Sequence, residues 1–211
     1  IAYSGLNSSY PSEFCIVATQ NSTIINITPT CNTKDNKIKN VTYSVTLNNG
    51  QSYQVQAKTD SSLTGSQIQV QNCKPIAVFG GSMCAEVPKS CNYCDHLFEE
   101  LYPINTWGKE FILVPTATRT KDRIVILSDK NNTVLNINGS NTPLTNPGAI
   151  YEADINTPTY ITSSKPICIA IYAEGQNCGG GSGDPMMMWA TPVEPNIDSI
   201  IFVAQNSAII T

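Results

Sequence analysis

The chain repeats itself, and this repetition constrains the fold more than any other feature of the sequence. Four segments of the first half recur in the same order in the second half. The matched pairs are "SEFCIVAT" (12–19) with "KEFILVPT" (109–116), "STIINI" (22–27) with "NTVLNI" (132–137), "GQSYQ" (50–54) with "GAIYE" (148–152), and "NCKPIAVF" (72–79) with "SSKPICIA" (163–170). Their drifting offsets indicate two copies of one scaffold that differ in loop length.

The last twenty residues resemble the beginning of another copy. "PINTWGKEFILVP" from Pro103 aligns with "PVEPNIDSIIFVA" from Pro192 at a constant offset of 89. Residues 192–211 are therefore predicted to be the first strand of a further repeat or a strand that closes a neighbouring sheet. Together with the abrupt beginning at "IAYSG", this indicates a piece of a longer protein.

Each copy has the pattern of a sheet protein, because short apolar runs alternate with Gly, Pro, Asn and Asp. Only 13% of the residues are charged, and Ile, Val and Thr dominate the apolar set, as is typical of strands. In "TYSVTLNNGQSYQVQA" the Asn49-Gly50 turn predicts a hairpin with one buried face. The strands predicted in the first copy lie near 13–19, 23–28, 41–47, 51–57, 66–71 and 75–80.

These patterns predict an all-β fold of two tandem antiparallel β-sandwich-like units. A repeat of about 90 residues with six or seven strands is the size of a β-sandwich, whereas β-propeller blades usually repeat at about 40–50 residues. The propeller is thus the weaker alternative. The predicted units are 1–102 and 103–191, and the first carries an inserted segment at 80–108.

Charge and cysteine content limit the partners and the compartment. A net charge of -4 provides no basic patch, so a nucleic-acid partner is not expected. Arg119, Lys121 and Arg123 form the densest basic cluster, which is either a solvated strand edge or an anion site. Eight cysteines favour an oxidising compartment. Six Asn-x-Ser/Thr sequons agree with secretion but carry little weight, at Asn7, Asn21, Asn26, Asn40, Asn131 and Asn138.

No stretch is apolar and long enough to predict a membrane span, so direct membrane insertion is not expected. The sequence also lacks a Gly-x-Ser-x-Gly elbow, a phosphate loop and a His-Glu-x-x-His motif. A non-catalytic protein is therefore expected. An enzyme would need Asp95, His96 and Glu99 or Glu100 to converge in an open pocket.

The inserted segment contains "CNYCDHLFEEL", for which three interpretations exist. Zinc could be held by a cramped set of Cys84, Cys91, Cys94 and His96. A Cys/His nucleophile pair would draw all its members from one short stretch, although such partners usually come from distant parts of a chain. The third interpretation is a disulfide from Cys84 to Cys91 or Cys94, beside a helix.

That helix is predicted near 95–102. Asp95 is a good N-cap, the following residues are helix formers, and "YP" ends the pattern. Leu97, Phe98 and Leu101 would lie on one side and dock on the sheet, and His96 and Glu100 would be one turn apart.

A second distinctive segment, "GQNCGGGSGDPMMMWATP", occupies residues 175–192. Its Met186–Trp189 run is either a binding surface or a strand whose alternate members are buried, either Met187 and Trp189 or Met186 and Met188. Calcium at Asp184, Asp129 or Asp154 lacks the usual spaced loop, so no metal is expected.

Three stretches resemble a known family: "KPIAVFGGSMCAEVP", "CDHLFEELYPINTWGKEFILVP" and "GDPMMMWATPVEP". In this order and spacing they are similar to the N-terminal domain family of the IgGFc-binding protein, a module of secreted mucus-associated proteins in animals and of many bacterial surface proteins. The resemblance implies an extracellular, non-catalytic binding or adhesion module, often within a larger protein. Immunoglobulin binding itself does not transfer, because the family is much wider than that activity.

The resemblance also implies that Cys84 and Cys94 pair as a disulfide. Cys91 departs from the family pattern, so it could compete for Cys84 or reach Cys178. The cysteines without an assigned partner are thus Cys15, Cys31, Cys73, Cys91, Cys168 and Cys178.

We expect an extracellular adhesion or ligand-binding module that is either secreted or at the cell surface. Its expected ligand is a protein or glycan on a cell surface or in mucus or matrix, and no cofactor is expected. Two alternatives stay open. One is a carbohydrate-binding module that uses Trp107, Trp189 and Tyr102 as stacking platforms. The other is a structural spacer that projects other domains. The predicted interaction surface comprises His96, Glu99, Tyr102, Trp107, Asp184, Met186, Met188 and Trp189.

Overall fold

A computed structural model describes residue 3 and residues 9–179 and 183–194. This part of the chain is built of strands, and its helical structure is limited to a 3-10 turn at Ile104–Thr106 and one helical turn at Gln176–Gly179. The predicted all-β class is confirmed. The strands are β1 (Ser12–Ala18), β2 (Thr23–Thr28), β3 (Tyr43–Leu47), β4 (Ser52–Gln56), β5 (Gln67–Val70), β6 (Ile76–Ala85), β7 (Asp95–Glu100), β8 (Gly108–Leu113), β9 (Asp122–Ser128), β10 (Thr133–Ile137), β11 (Ser140–Leu144), β12 (Ile150–Ile155), β13 (Thr159–Ala173) and β14 (Met186–Trp189).

The first half consists of two antiparallel sheets that share one core. One has the order β4-β1-β6-β7 and the other the order β3-β2-β5. Phe14 and Ile16 from the first sheet pack in one apolar cluster with Ile25 and Ile27 from the second. The inward residues alternate along β1 and β2, as expected for strands with one buried face. The six strands predicted here are confirmed, with bounds that differ by a few residues.

The predicted hairpin between β3 and β4 is wrong. β3 pairs with β2, and β4 pairs with β1, so the two strands belong to different sheets. Gly50 has a φ of 75°, and its N–H donates to the carbonyl of Ala18 at 2.8 Å, which steers the chain from one sheet to the other. Both strands do bury one face, but they cover the same core from opposite sides.

The second half is a single seven-stranded sheet organised around the fifteen-residue β13. The N-terminal part of β13 pairs with β8 and β10, and its C-terminal part pairs with β9 and β14. Every residue from Ile167 to Ala173 is buried. A strand covered on both faces becomes a continuous apolar run, which is the pattern of "ICIAIYA".

The strand pairing of the first half recurs in the second. β9 pairs with β12 and β13 as β1 pairs with β4 and β6, and β10 pairs with β11 and β13 as β2 pairs with β3 and β5. Ser22 and Asn132, in the turns after β1 and β9, both have positive φ angles, of 55° and 50°. The counterpart of β1 is therefore β9, so the match of 12–19 with 109–116 is wrong. The division into units at 1–102 and 103–191 stays a prediction, and most of 192–211 lies outside the described residues.

The predicted helix near 95–102 is also wrong, because Asp95–Glu100 forms β7, an antiparallel partner of β6. Leu97 is buried and its neighbour Phe98 is 61% exposed, which is the alternation of a strand. Six residues form only a marginal helix in isolation. The unpaired edge of the long β6 offers hydrogen bonds along the whole segment, and this tertiary pairing outweighs a weak helix propensity.

A third apolar cluster joins the two halves. The first half contributes Ala85, Val87 and Leu97 to it, and the second half contributes six residues. Those six are Val125, Leu127, Cys168, Ala170, Tyr172 and Met187. This interface core fixes the position of β7 against the second half. At another contact Gly65, with a φ of 89°, approaches Gly148 so closely that an added Cβ would lie 3.1 Å from the Gly148 carbonyl oxygen.

Two members of the basic cluster, Lys121 and Arg123, pair with acidic residues. Lys121 Nζ lies 2.8 Å from Asp154 and 3.4 Å from Glu174, and Arg123 lies 2.8 Å from Asp154 and 3.5 Å from Glu152. Arg123 and Asp154 are mostly buried, and the Glu174 side chain is fully buried. Lys121 and Arg123 thus belong to an ion-pair network with three carboxylates at the entrance of β9. Burial raises the pKa of Glu174, although Lys121 opposes the change.

Glu174→Gln should change how stability depends on pH. A carboxyl whose pKa is raised in the folded state stabilises the fold while it is protonated, and this contribution is lost as the pH rises through that pKa. We therefore expect the unfolding free energy of the wild type, relative to the variant, to fall as the pH rises from the ordinary glutamate pKa, about 4, through the raised pKa of the folded state. Urea denaturation across this range measures it, and a pH-independent difference would contradict the explanation.

Candidate functional site

The cysteine-rich segment is closed by two disulfides. Cys84, near the end of β6, bonds to Cys94, immediately before β7, with a Cα–Cα distance of 5.2 Å. This is the pair that the family resemblance implies. Cys91 bonds to Cys178 in the second half, with a Cα–Cα distance of 5.9 Å. The cysteines of the zinc and nucleophile hypotheses are therefore oxidised and provide no thiolate.

His96 lies on the outer face of β7, with its side chain 75% exposed and its Nδ1 3.2 Å from the Asp95 carboxylate. It lines neither of the two cavities found among the described residues, whereas Glu100 lines the larger one. Because β7 is a strand, His96 and Glu99 point to opposite faces. The acidic residues and the histidine thus do not converge in one pocket.

The remaining cysteines are unpaired: Cys15, Cys31, Cys73 and Cys168. Burial raises the pKa of Cys168, in the interface core, to about 12, and it also raises the pKa of Cys31 and Cys15. Such thiols are inert at neutral pH because the reactive thiolate is scarce. Cys73 is the exposed member of the four.

The larger cavity is a cleft of about 860 Å³ between the two halves. Its volume lies in the range of protein ligand sites, roughly 300–1,000 Å³. One side is formed by β5 and β6, the second by the segment that follows β7, and the third by the loops after β9 and before β12. The lining residues include Phe14, Ile68, Val70, Val78, Tyr102, Ile104, Trp107, Leu127, Gly148 and Trp189.

Two tryptophans and a tyrosine form one side of this cleft. The indole N–H of Trp189 donates to the carbonyl of Glu100 at 2.7 Å, and that of Trp107 donates to the carbonyl of Tyr102 at 3.2 Å. The rings of Tyr102 and Trp189 are in contact, with centroids 5.5 Å apart. Because both indole donors are satisfied within the protein, the ring positions are fixed and their apolar surfaces are available to a partner.

We call Tyr102, Ile104, Trp107 and Trp189 the aromatic wall. Tyr102 is 45% exposed and Ile104 is 54% exposed, so the wall opens to solvent. Trp107 and Trp189 are partly buried, so their rings are held in the wall while part of their surface stays open. Large apolar side chains are rarely left exposed together on a monomeric surface unless they bind a partner.

A family model for the IgGFc binding protein matches residues 1–211, the whole chain. The chain belongs to the IgGFc-binding protein family. No curated protein and no solved structure matches it significantly. Family membership and the two disulfides together indicate an extracellular binding module. In the part of the chain that the structure describes, no helix is long and apolar enough to span a membrane.

The predicted surface residues of this IgGFc-binding module fall into three groups. Tyr102, Trp107 and Trp189 meet in the aromatic wall. His96 and Glu99 lie on β7 and Met186 and Met188 lie on β14, and these two edge strands contact each other. Asp184 lies apart from both groups, where its carbonyl accepts from Arg119 Nη2 at 3.3 Å.

Burial alternates along Met186–Trp189, as expected if this run is a strand with alternate members buried. Met187 is buried in the interface core, Met186 is exposed, and Met188 packs partly against the core of the second half. Sequence reasoning did not identify Ile104 or the β5 residues Ile68 and Val70.

The two disulfides should differ in their effect on stability. Replacing Cys91 and Cys178 together by serine should lower the unfolding free energy by about 4 kcal/mol, because the bond closes a loop between residues 87 apart in the sequence. Replacing Cys84 and Cys94, which are 10 apart, should cost about 2–3 kcal/mol. Chemical denaturation measures both values. Cys73→Ser is the control and should stay within about 0.5 kcal/mol of wild type; equal losses from the two double variants would contradict the loop-length argument.

Proposed function

We propose that the chain is an extracellular adhesion module that binds a protein ligand at the aromatic wall. The observation that supports this most directly is the convergence of Tyr102, Trp107 and Trp189, from two segments far apart in the sequence, on one open cleft. Tyrosine and tryptophan dominate the energetically important positions of protein interfaces because they bury large area with few rotatable bonds. The family description, a protein that binds an immunoglobulin fragment, agrees with a protein ligand.

The surroundings of the wall also suit a protein partner. Ile104, which is 54% exposed, and the partly buried Ile68, Val70 and Val78 add aliphatic surface to the cleft. Polar residues, among them Asn105, Lys130 and Asp129, line its border. An apolar centre with a polar border is the usual anatomy of a protein interface. A pure spacer would not need such a surface.

A glycan ligand is the second candidate, and the same rings favour it. Aromatic faces with satisfied polar groups provide apolar area for a sugar face. Asn105 lines the cleft and would supply side-chain hydrogen bonds. Both ligands would bind at the same site. In one case the module would recognise the polypeptide of a glycoprotein, and in the other it would recognise the glycans.

Tryptophan fluorescence provides a direct test, because the chain has two tryptophans and both lie in the wall. Titration with purified immunoglobulin Fc and with a purified soluble mucin, before and after removal of their glycans, should change the emission. Binding that survives deglycosylation supports a protein ligand, and binding that is lost supports a glycan. Emission that stays constant while binding is detected by another method would place the ligand elsewhere.

Tyr102→Ala and Ile104→Ser should each weaken binding about tenfold or more, as expected when a central apolar contact is truncated. Ile38→Ser is the matched control, because Ile38 is 64% exposed and does not line the cleft. Calorimetry or surface plasmon resonance gives the affinities. Equal losses in all three variants, or none in the wall variants, would contradict the proposed site.

A further inference from the structure

The sheet β3-β2-β5 ends at β5, and the outer edge of this strand borders the cleft between the halves. Among the described residues, β5 pairs with β2 alone. All four residues of β5 line the cleft. Ile68 and Val70 pack against the core of the first half but are only partly buried. That core is therefore incompletely covered along β5.

The backbone of β5 presents hydrogen-bonding groups at this edge. The N–H of Gln71 donates to the carbonyl of Ile24 at 2.9 Å, which fixes the phase of the ladder with β2. In an antiparallel pair the peptide groups of successive residues point alternately to either side. Those of Gln69 therefore face β2, and those of Ile68 and Val70 face the cleft. An exposed edge of this kind can pair with another strand.

The second half shows which element such an edge accepts. The strand pairings make Ile68 on β5 the counterpart of Ile161 on β13. At Ile161 the edge is occupied by β8, an antiparallel strand that places Phe111 opposite Ile161 and Leu113 two residues further on. Both β8 side chains are almost completely buried, and so is Ile161. The occupant of this position is thus a strand with a large apolar side chain at every second residue.

The apolar surface beside β5 continues into the interface between the halves. Leu127 and Cys168 belong to the interface core and also line the cleft. Val78 of β6 lines the same cleft and is partly buried. A strand added at β5 would therefore extend a surface that the two halves already bury against each other. The aromatic wall forms another side of this cleft, so one ligand can contact both.

We infer that the protein ligand adds an extended segment to β5 as an antiparallel strand inside the cleft. Backbone hydrogen bonds to Ile68 and Val70 hold the segment, and its alternate apolar side chains cover the core of the first half. Strand addition of this kind takes its affinity from the main chain and its specificity from alternate side chains. The inference rests on the proposed binding of a protein at the cleft, and it names the part of the ligand that enters.

The sequence of β8 provides a defined probe, because the corresponding edge of the second half accepts this strand. The probe is a capped peptide of residues 108–114, Gly-Lys-Glu-Phe-Ile-Leu-Val, with two lysines added at its N-terminus for solubility. Hydrogen exchange of single amides, followed by NMR, gives the readout. Saturating peptide should slow exchange at Ile68 and Val70 about tenfold or more and leave Gln69 unchanged, since Gln69 is already paired with β2. Unchanged rates at Ile68 and Val70 would overturn the inference.

N-methylated probes distinguish strand addition from binding through side chains alone. In the register of β8, the N–H of the peptide phenylalanine faces β5, and that of the following isoleucine faces away. Methylation of the phenylalanine nitrogen should abolish the protection of Ile68, whereas methylation of the isoleucine nitrogen should preserve it. Equal effects of the two methyl groups would contradict a backbone ladder.

Ile68→Pro tests whether the protein ligand uses the same edge. Proline removes an N–H that faces the cleft and keeps the ladder with β2, and Ile68→Ala is the matched control that keeps the N–H. The immunoglobulin Fc or mucin that binds in the fluorescence titration should bind the proline variant about tenfold or more weakly than the alanine variant. Equal affinities would overturn the inference and leave the proposed function standing. Failure of the proposed function differs, because neither Fc nor mucin would then bind the wild type.

Exchange rates of the protein alone show whether another occupant covers the edge. Without any probe, the amides of Ile68 and Val70 should exchange fast. Slow exchange that is independent of protein concentration would show that the chain covers its own edge. Slow exchange that becomes faster on dilution would show a second copy. Either result would overturn the inference.

Discussion

The interface core between the two halves is the interaction on which the candidate site depends. Leu97 and Val87 of the first half pack there against Tyr172 and Met187 of the second, and their burial holds β7 beside β14. Burial of side chains of this size stabilises a structure by about 1.5–3 kcal/mol each. Without that packing, the segment after β7 would not lie across the mouth of the cleft, and Trp189 would have no carbonyl to bond. The cleft therefore exists because the two halves bury a common apolar surface.

The difference between the halves lies in how the same pairing scheme is completed. In the second half β13 is continuous, so a single strand takes part in both layers. Its segment "ICIAIYA" is buried on two faces. In the first half the corresponding backbone is interrupted between β5 and β6, at Asn72–Pro75, and the two layers are separate sheets. Cys73 in this interruption has a φ of 53°, which no strand accommodates. The interruption frees β5 from the constraint of β6 and leaves it at an edge.

Local alternation was sufficient to predict the strands, but not their partners. Tyr43, Val45 and Val55 alternate in the sequence as they do in the structure, whereas the choice between a hairpin and a change of sheet depends on contacts with β1 and β2. "DHLFEEL" was misread because helix propensity is weak and the free edge of β6 is invisible in a sequence. Tyr102, Trp107 and Trp189 were predicted as available rings. Their convergence could not be predicted, since it requires the packing of two halves.

The bond between Cys91 and Cys178 gives the module a mechanical property. A pulling force that enters before Cys91 and leaves after Cys178 passes through the covalent bond and bypasses every residue between them. The sequence separation is 87 residues, so about 300 Å of extended chain is withheld from stretching. Strands β7 to β13 lie inside this bypass, together with Tyr102 and Trp107. The disulfide would still enclose these strands and both side chains when a force separated the two sheets of the first half.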